Sequence, residues 1–224
     1  MKIYFDPYIN RQTGVLKNNL DIADNEELRR AEAEISGIVM RGLTQNPVEG
    51  DFDFAHLCKI HEALFGDLYE WAGAQRIIDI EKPERVLGGL SVVYSQCDEI
   101  QLNASTIITE MKKVDWEGLS LEQRAAEFSR YMAALWKVHP FREGNTRTVV
   151  TFCCAYAESR GFGLDGGLFK DNGEYIRAAL VAASADFTDS KQYSDLGDRS
   201  QPEHLCRFVI DGMERGEEMR TAIN

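Results

Sequence analysis

Apolar positions recur at helical spacing through most of the chain. Leu28, Ala31, Ile35 and Ile38 form one stripe, and Asp24 and Glu27 before it have capping-box spacing. Pro47, Gly50 and Asp51 mark a loop, after which Phe54, Leu57, His61 and Leu64 suggest a second helix. Ser91 is placed to cap a long helix carrying Val93, Ile100, Ile107 and Met111. Ala125, Phe128, Met132 and Leu135 share a face of the next, which starts near Leu121 and should stop at Pro140, because proline disfavours α geometry just before itself. A helix from near Asn145 holds Val149, Phe152, Cys153 and Tyr156, with Gly161 as a natural C-cap. Two further helices fit residues 174–184 and 202–219, with a polar loop at 186–200 between them. Strand character is confined to 77–80 and to Val86 and Leu87, on either side of the charged segment 81–85, which predicts a short hairpin. The expected fold class is mainly α with a small β-hairpin. A single domain is expected over 1–224, with its core at about 15–185 and a C-terminal helical extension from about 186.

Composition narrows the function. With 44% hydrophobic and 28% charged residues in 224, the chain can bury a core unaided. A formal net charge of −12 repels phosphate backbones and anionic lipid, so neither nucleic acid nor membrane is an expected partner. The five cysteines have no paired spacing, which fits a reducing compartment. The N-terminal residues have no long apolar stretch of the secretory kind, and the expected location is the cytoplasm, with delivery into another cell as an alternative.

One segment concentrates chemistry: His139-Pro140-Phe141-Arg142-Glu143-Gly144-Asn145-Thr146-Arg147, at the junction of two predicted helices. The first N–H groups of a helix have no internal partners, and the helix dipole adds positive charge there. Gly144 lets the backbone approach an anion, and Gly144, Asn145 and Thr146 can form a nest of donors. Arg147 would add a bidentate phosphate grip, and Glu143 is the local carboxylate for the Mg²⁺ that accompanies a nucleotide polyphosphate. His139 is suited to accepting a proton near neutral pH. A plain helix–loop–helix junction would also use Pro, Gly and Asn, with Arg142 and Glu143 as a solvated pair.

The order of these residues resembles the Fic motif, HPFx(D/E)GNGRxxR. Seven of its nine specified positions agree: His139, Pro140, Phe141, Glu143, Gly144, Asn145 and Arg147. Thr146 replaces the last glycine, and Val150 replaces the last arginine. Segments 16–20, 60–65 and 69–73 also look like the family's. The resemblance implies a Fic-type helical domain and a protein adenylyltransferase, which moves AMP from ATP onto a Ser, Thr or Tyr hydroxyl of a target protein. It implies that His139 deprotonates that hydroxyl and that Glu143 holds Mg²⁺. Asn145 would hold the α-phosphate, Arg147 would hold the distal phosphates, and Gly144 and Thr146 would complete the nucleotide cradle. Phe141 would anchor the loop in the core. It further implies that 79–87 is a flap that docks the target through Asp79, Ile80, Val86 and Leu87.

The departures leave alternatives. Thr146 keeps its backbone donor while its side chain either crowds or contacts the phosphates, and Val150 removes the arginine that meets the γ-phosphate. Other readings are a Fic-fold transferase with another phosphate-containing donor, or a nucleotide-binding or protein-docking module whose catalysis has decayed. Many Fic proteins carry a restraining helix with (S/T)xxxE(G/N). Ser95 to Glu99 and Thr106 to Glu110 have its spacing but are followed by Ile100 and Met111, so an antitoxin, if there is one, would be a separate partner.

Overall fold

The structure is a computed structural model that describes residues 6–184 and 200–223. The helices are α1 (Asn25–Gln45), α2 (Phe54–Phe65), α3 (Ile100–Lys112), α4 (Leu121–Val138), α5 (Asn145–Ser159), α6 (Gly166–Asp171), α7 (Gly173–Ala183) and α8 (Pro202–Ile223). The loop expected at 186–200 lies, but for its last residue, outside the described residues. α4 is the hub and packs against α3, α5, α7 and α8, while α5 also meets α2. Phe128 and Trp136 of α4 and Phe152 and Tyr156 of α5 are fully buried between these layers. α8 contributes the buried Leu205, Val209 and Met213 to the same core.

Local chemistry sets the boundaries. Asp24 accepts from the Glu27 amide at 2.9 Å and starts α1, as its spacing predicts. Ser120 and Gln123 form a reciprocal capping box at α4. α4 ends at His139, in the left-handed conformation (φ 51°), directly before Pro140.

Three expectations change. α3 begins at Ile100 rather than after Ser91. Val92 and Tyr94 are buried in non-helical chain, and the Ser91 hydroxyl is engaged by the Lys82 amide and the Val92 carbonyl. The hairpin has no strands. Residues 79–84 are irregular, Arg85–Leu87 form one 3₁₀ turn, and Glu84 and Leu90 are joined by a backbone bond of 2.9 Å. The reason is that the backbone and Asp79 serve other partners: Arg76 takes the Ile78 carbonyl, Asp79 accepts from the Cys97 amide, and Pro83 has no N–H. α1 is rotated relative to its apolar stripe, burying Leu28, Glu32 and Ser36 at i, i+4 and i+8 and leaving Ile38 exposed. Both polar members of that inward row face the site.

Candidate active site

The α4–α5 junction opens on a cavity of about 740 Å³, within the range that holds a nucleotide-sized ligand. His139, Glu143, Gly144, Asn145, Thr146 and Arg147 all line it. The residues singled out in the sequence thus share one wall of this cavity, and several of their side chains have partners within the chain.

His139 is buried, its ring stacked on Tyr94 at 3.9 Å and edge-on to Trp136. Neither ring nitrogen has a hydrogen-bond partner among the described residues. Burial, followed by the charge of Lys82, holds its pKa well below the ordinary 6.5, so the ring is neutral at pH 7. A neutral imidazole with an unengaged nitrogen in a cavity wall is a proton acceptor in waiting. Its backbone is fixed separately by Arg76, a fully buried residue whose Nε donates to the His139 carbonyl at 2.9 Å and whose amide donates to the Pro140 carbonyl at 2.8 Å. Arg76 carries no signal in the sequence, because it stands between Gln75 and Ile77 outside any periodic helical stripe.

Phe141 is fully buried, as expected, and stacks on His61 with ring centroids 3.8 Å apart. His61 Nδ1 accepts the Gly73 amide at 2.8 Å, which leaves Nε2–H to donate to the Glu143 carbonyl at 3.1 Å. Burial lowers its pKa to about 4. His61 is therefore a neutral strut of the loop. Asn145 also shapes the loop: its side chain accepts from the Phe141 amide at 2.9 Å and donates to the Phe141 carbonyl at 2.7 Å. What it offers the cavity is its backbone amide, together with those of Thr146 and Arg147. These open α5 without a side-chain cap from Gly144.

Gly144 has φ 81°, and a Cβ there would come within 2.4 Å of the Phe65 ring. The glycine is thus required by Phe65 as well as by its own backbone conformation. Thr146 neither crowds nor points at the phosphate region with its hydroxyl, which accepts from the buried Trp136 indole at 2.9 Å. Thr146→Val is expected to cost about 1–3 kcal/mol, because the indole N–H would be left buried without an acceptor. Urea unfolding measures this, and an unchanged midpoint would mean that Trp136 has another partner.

The three charged side chains of the 139–147 loop, Arg142, Glu143 and Arg147, are each paired. Arg142 meets Asp6 at 2.8 Å rather than Glu143. Arg147 is turned to α1, where it binds the Glu32 carboxylate, the Ser36 hydroxyl at 2.6 Å and the Glu32 carbonyl at 3.1 Å, with its guanidinium over the Phe65 ring. The Tyr69 hydroxyl also donates to Glu32. Glu143 accepts the Gly144 amide at 3.1 Å on one oxygen and the Lys82 ammonium at 2.9 Å on the other. Burial alone would raise the Glu143 pKa, but the charge and hydrogen bond of Lys82 together with the Gly144 amide hold the carboxylate far below its usual range. Arg177 of α7 lines the cavity and pairs with the buried Glu84 at 2.8 Å. Of the charged segment 81–85, Lys82 and Glu84 turn inward. Val150 is buried yet also lines the cavity, so the position that lacks an arginine is an apolar stretch of its wall. Tyr175 is half exposed and packs on Phe208, away from the cavity. In the expected flap, Val86 is exposed, Ile80 and Leu87 pack partly against the core, and Asp79 pins the segment to Cys97 and Arg76.

Residues 51–157 match the model of the Fic/DOC family. Protein adenylyltransferase VbhT of Bartonella schoenbuchensis is 34% identical over 160 residues, covering 71% of this chain and 32% of that protein. Probable protein adenylyltransferase y4lH of Sinorhizobium fredii is 33% identical over 162 residues, covering 71% of this chain and 79% of that one. The chain belongs to the Fic/DOC family. Its Fic fold is matched by the N-terminal Fic domain of a VirB-translocated effector protein from Bartonella quintana, solved with bound ADP. That match has a TM-score of 0.72, 23% identity, and coverage of 92% of this chain and 93% of the other. The chain spans about a third of the length of the first relative.

Proposed function

We propose that this Fic domain transfers AMP from ATP to a Ser, Thr or Tyr hydroxyl of a target protein. The observation that carries the reading is His139. Its neutral ring has no hydrogen-bond partner among the described residues and lines a nucleotide-sized cavity beside the uncapped N-terminus of α5. In this reading the target hydroxyl gives its proton to His139, and its oxygen bonds to the α-phosphorus. The bond from that phosphorus to the β-phosphate oxygen breaks, and pyrophosphate leaves. The amides of Asn145, Thr146 and Arg147 hold phosphate oxygens, and Arg177 adds a cation from α7. Relatives named as adenylyltransferases support the same chemistry. The partner is a protein target, docked along 79–87 beside the exposed Ile77 and Val86, and a separate antitoxin remains part of the proposal. No helix among the described residues is long and apolar enough to cross a membrane. The proposed setting is the cytoplasm, that of its own cell or of a cell into which the chain is delivered.

The Mg²⁺ that the resemblance implies would bind at Glu143. As folded, that carboxylate does not fit a divalent ion, because an ammonium already lies on one oxygen and an amide on the other. The steps above are accordingly assigned to the chain's own groups.

Transfer of label from α-³²P-ATP but not from γ-³²P-ATP to a protein acceptor is the expected result. Label from the γ position would indicate a phosphoryl transferase. Nucleotide binding without transfer of either label would indicate a binding module, a reading that the engagement of Arg147 by Glu32 favours.

A further inference from the structure

We propose that Lys82 is a phosphate-binding residue of the nucleotide site and holds, with its ammonium, the position at Glu143 that a divalent cation would otherwise take. The inference rests on the nucleotide reading above and concerns which cation serves it.

Lys82 is not a loose surface lysine. Its side chain is 15% exposed and its Nζ lies 2.9 Å from Glu143 Oε2. Its amide is held by the Ser91 hydroxyl at 3.0 Å, and that hydroxyl donates in turn to the Val92 carbonyl. Glu84, two residues on, is buried and clamped by Arg177 and by the Tyr94 hydroxyl. The segment therefore delivers the ammonium to one place, on the wall shared with His139 and the start of α5.

Charge makes that place matter. A polyphosphate entering this cavity would face the Glu143 carboxylate, which repels it unless a cation stands between them. Arg147 is committed to Glu32 and Ser36, and position 150 is a valine. The remaining cation touching Glu143 among the described residues is Lys82. An ammonium has three donors, so it can keep the carboxylate and still give hydrogen bonds to phosphate oxygens. A divalent ion at the same oxygen would lie against an unshielded ammonium and have to displace it. Lys82 thus neutralises the carboxylate and bridges it to the nucleotide.

The test measures ADP binding to the full chain by calorimetry, once in EDTA and once in excess MgCl₂, for the wild type, Lys82→Met and Lys82→Arg. The wild type should bind with affinities that differ by less than about threefold between the two conditions. Lys82→Met should lose roughly tenfold or more in EDTA, the scale of a charge-assisted bond, and regain part of it in MgCl₂ as the vacated carboxylate takes the metal. Lys82→Arg should keep binding in EDTA. The wild-type comparison needs no variant and stands even if Lys82→Met folds poorly. Wild-type binding that improves more than about tenfold with MgCl₂, or a Lys82→Met that binds in EDTA as the wild type does, overturns the proposal while leaving the nucleotide reading intact. A wild type that binds ADP in neither condition removes the nucleotide reading and this inference with it.

Discussion

His139→Ala is expected to reduce AMP transfer by ~10²–10⁴-fold, the usual cost of losing a general base, while nucleotide affinity stays near that of the wild type. The separation follows from how the residue is held. Its carbonyl is fixed by Arg76 and its amide by the Trp136 carbonyl, so the loop backbone does not depend on the imidazole. The ring makes no hydrogen bond among the described residues, and removing it leaves no donor or acceptor stranded. The loss is packing against Tyr94 and Trp136, which should register as a modest fall in melting temperature. The wild-type pH profile supplies a second check. Burial, with Lys82 next, lowers the pKa of His139, and a base works in its deprotonated form. The acid limb of kcat/KM should therefore fall below the ordinary 6.5, with no loss between pH 7 and that value. A variant that keeps near-full transfer, or one that loses ADP affinity in parallel with rate, would take the proton away from His139.

Gly144→Ala should be the most destabilising single-methyl change at the site, by about 2–5 kcal/mol. Two costs add. An L-residue at φ 81° pays roughly 1–2 kcal/mol for the left-handed conformation. The new methyl would also lie 2.4 Å from the Phe65 ring, which is fully buried, and overpacking of this kind costs about 1–3 kcal/mol. Relief by Phe65→Leu in the same chain separates the two. If the collision matters, the double variant should lose less than the sum of the single losses, as coupled neighbours do. Strict additivity in urea unfolding would leave backbone conformation as the whole cause.

Much of the fold was legible because helices announce themselves locally. Asp24, Pro140 and Gly161 each act within a few residues, and the boundaries they predict for α1, α4 and α5 stand. The candidate site was legible for the same reason, since the motif lies within one loop. The tasks of its side chains were not. The resemblance implies phosphate roles for Asn145 and Arg147, and it does not reveal that the Asn145 side chain bonds Phe141 or that Arg147 bonds Glu32. The hairpin failed because a β-prone run says nothing about whether its carbonyls already serve a side chain such as that of Arg76, two residues before Ile78. One clue was available: Leu28, Glu32 and Ser36 share a helix face at regular spacing, a polar row that competes with the apolar stripe.

The contacts that shape the loop also bear on when it forms. Arg147 reaches across 115 positions to Glu32, His61 across 82 to Glu143, and Arg76 across 63 to His139. Closing such long segments is slow and brings little reward until the helices on both sides have docked. During synthesis, the cradle cannot exist until α7 has followed α5 into place with Arg177, although the helices before it form within microseconds of becoming free to do so. On the proposed function, competence to bind nucleotide therefore arrives with the last stage of folding rather than with helix content. Once it has arrived, a bound nucleotide at a hundred times its Kd would add about 2.7 kcal/mol to the folded state, drawing late intermediates forward by mass action.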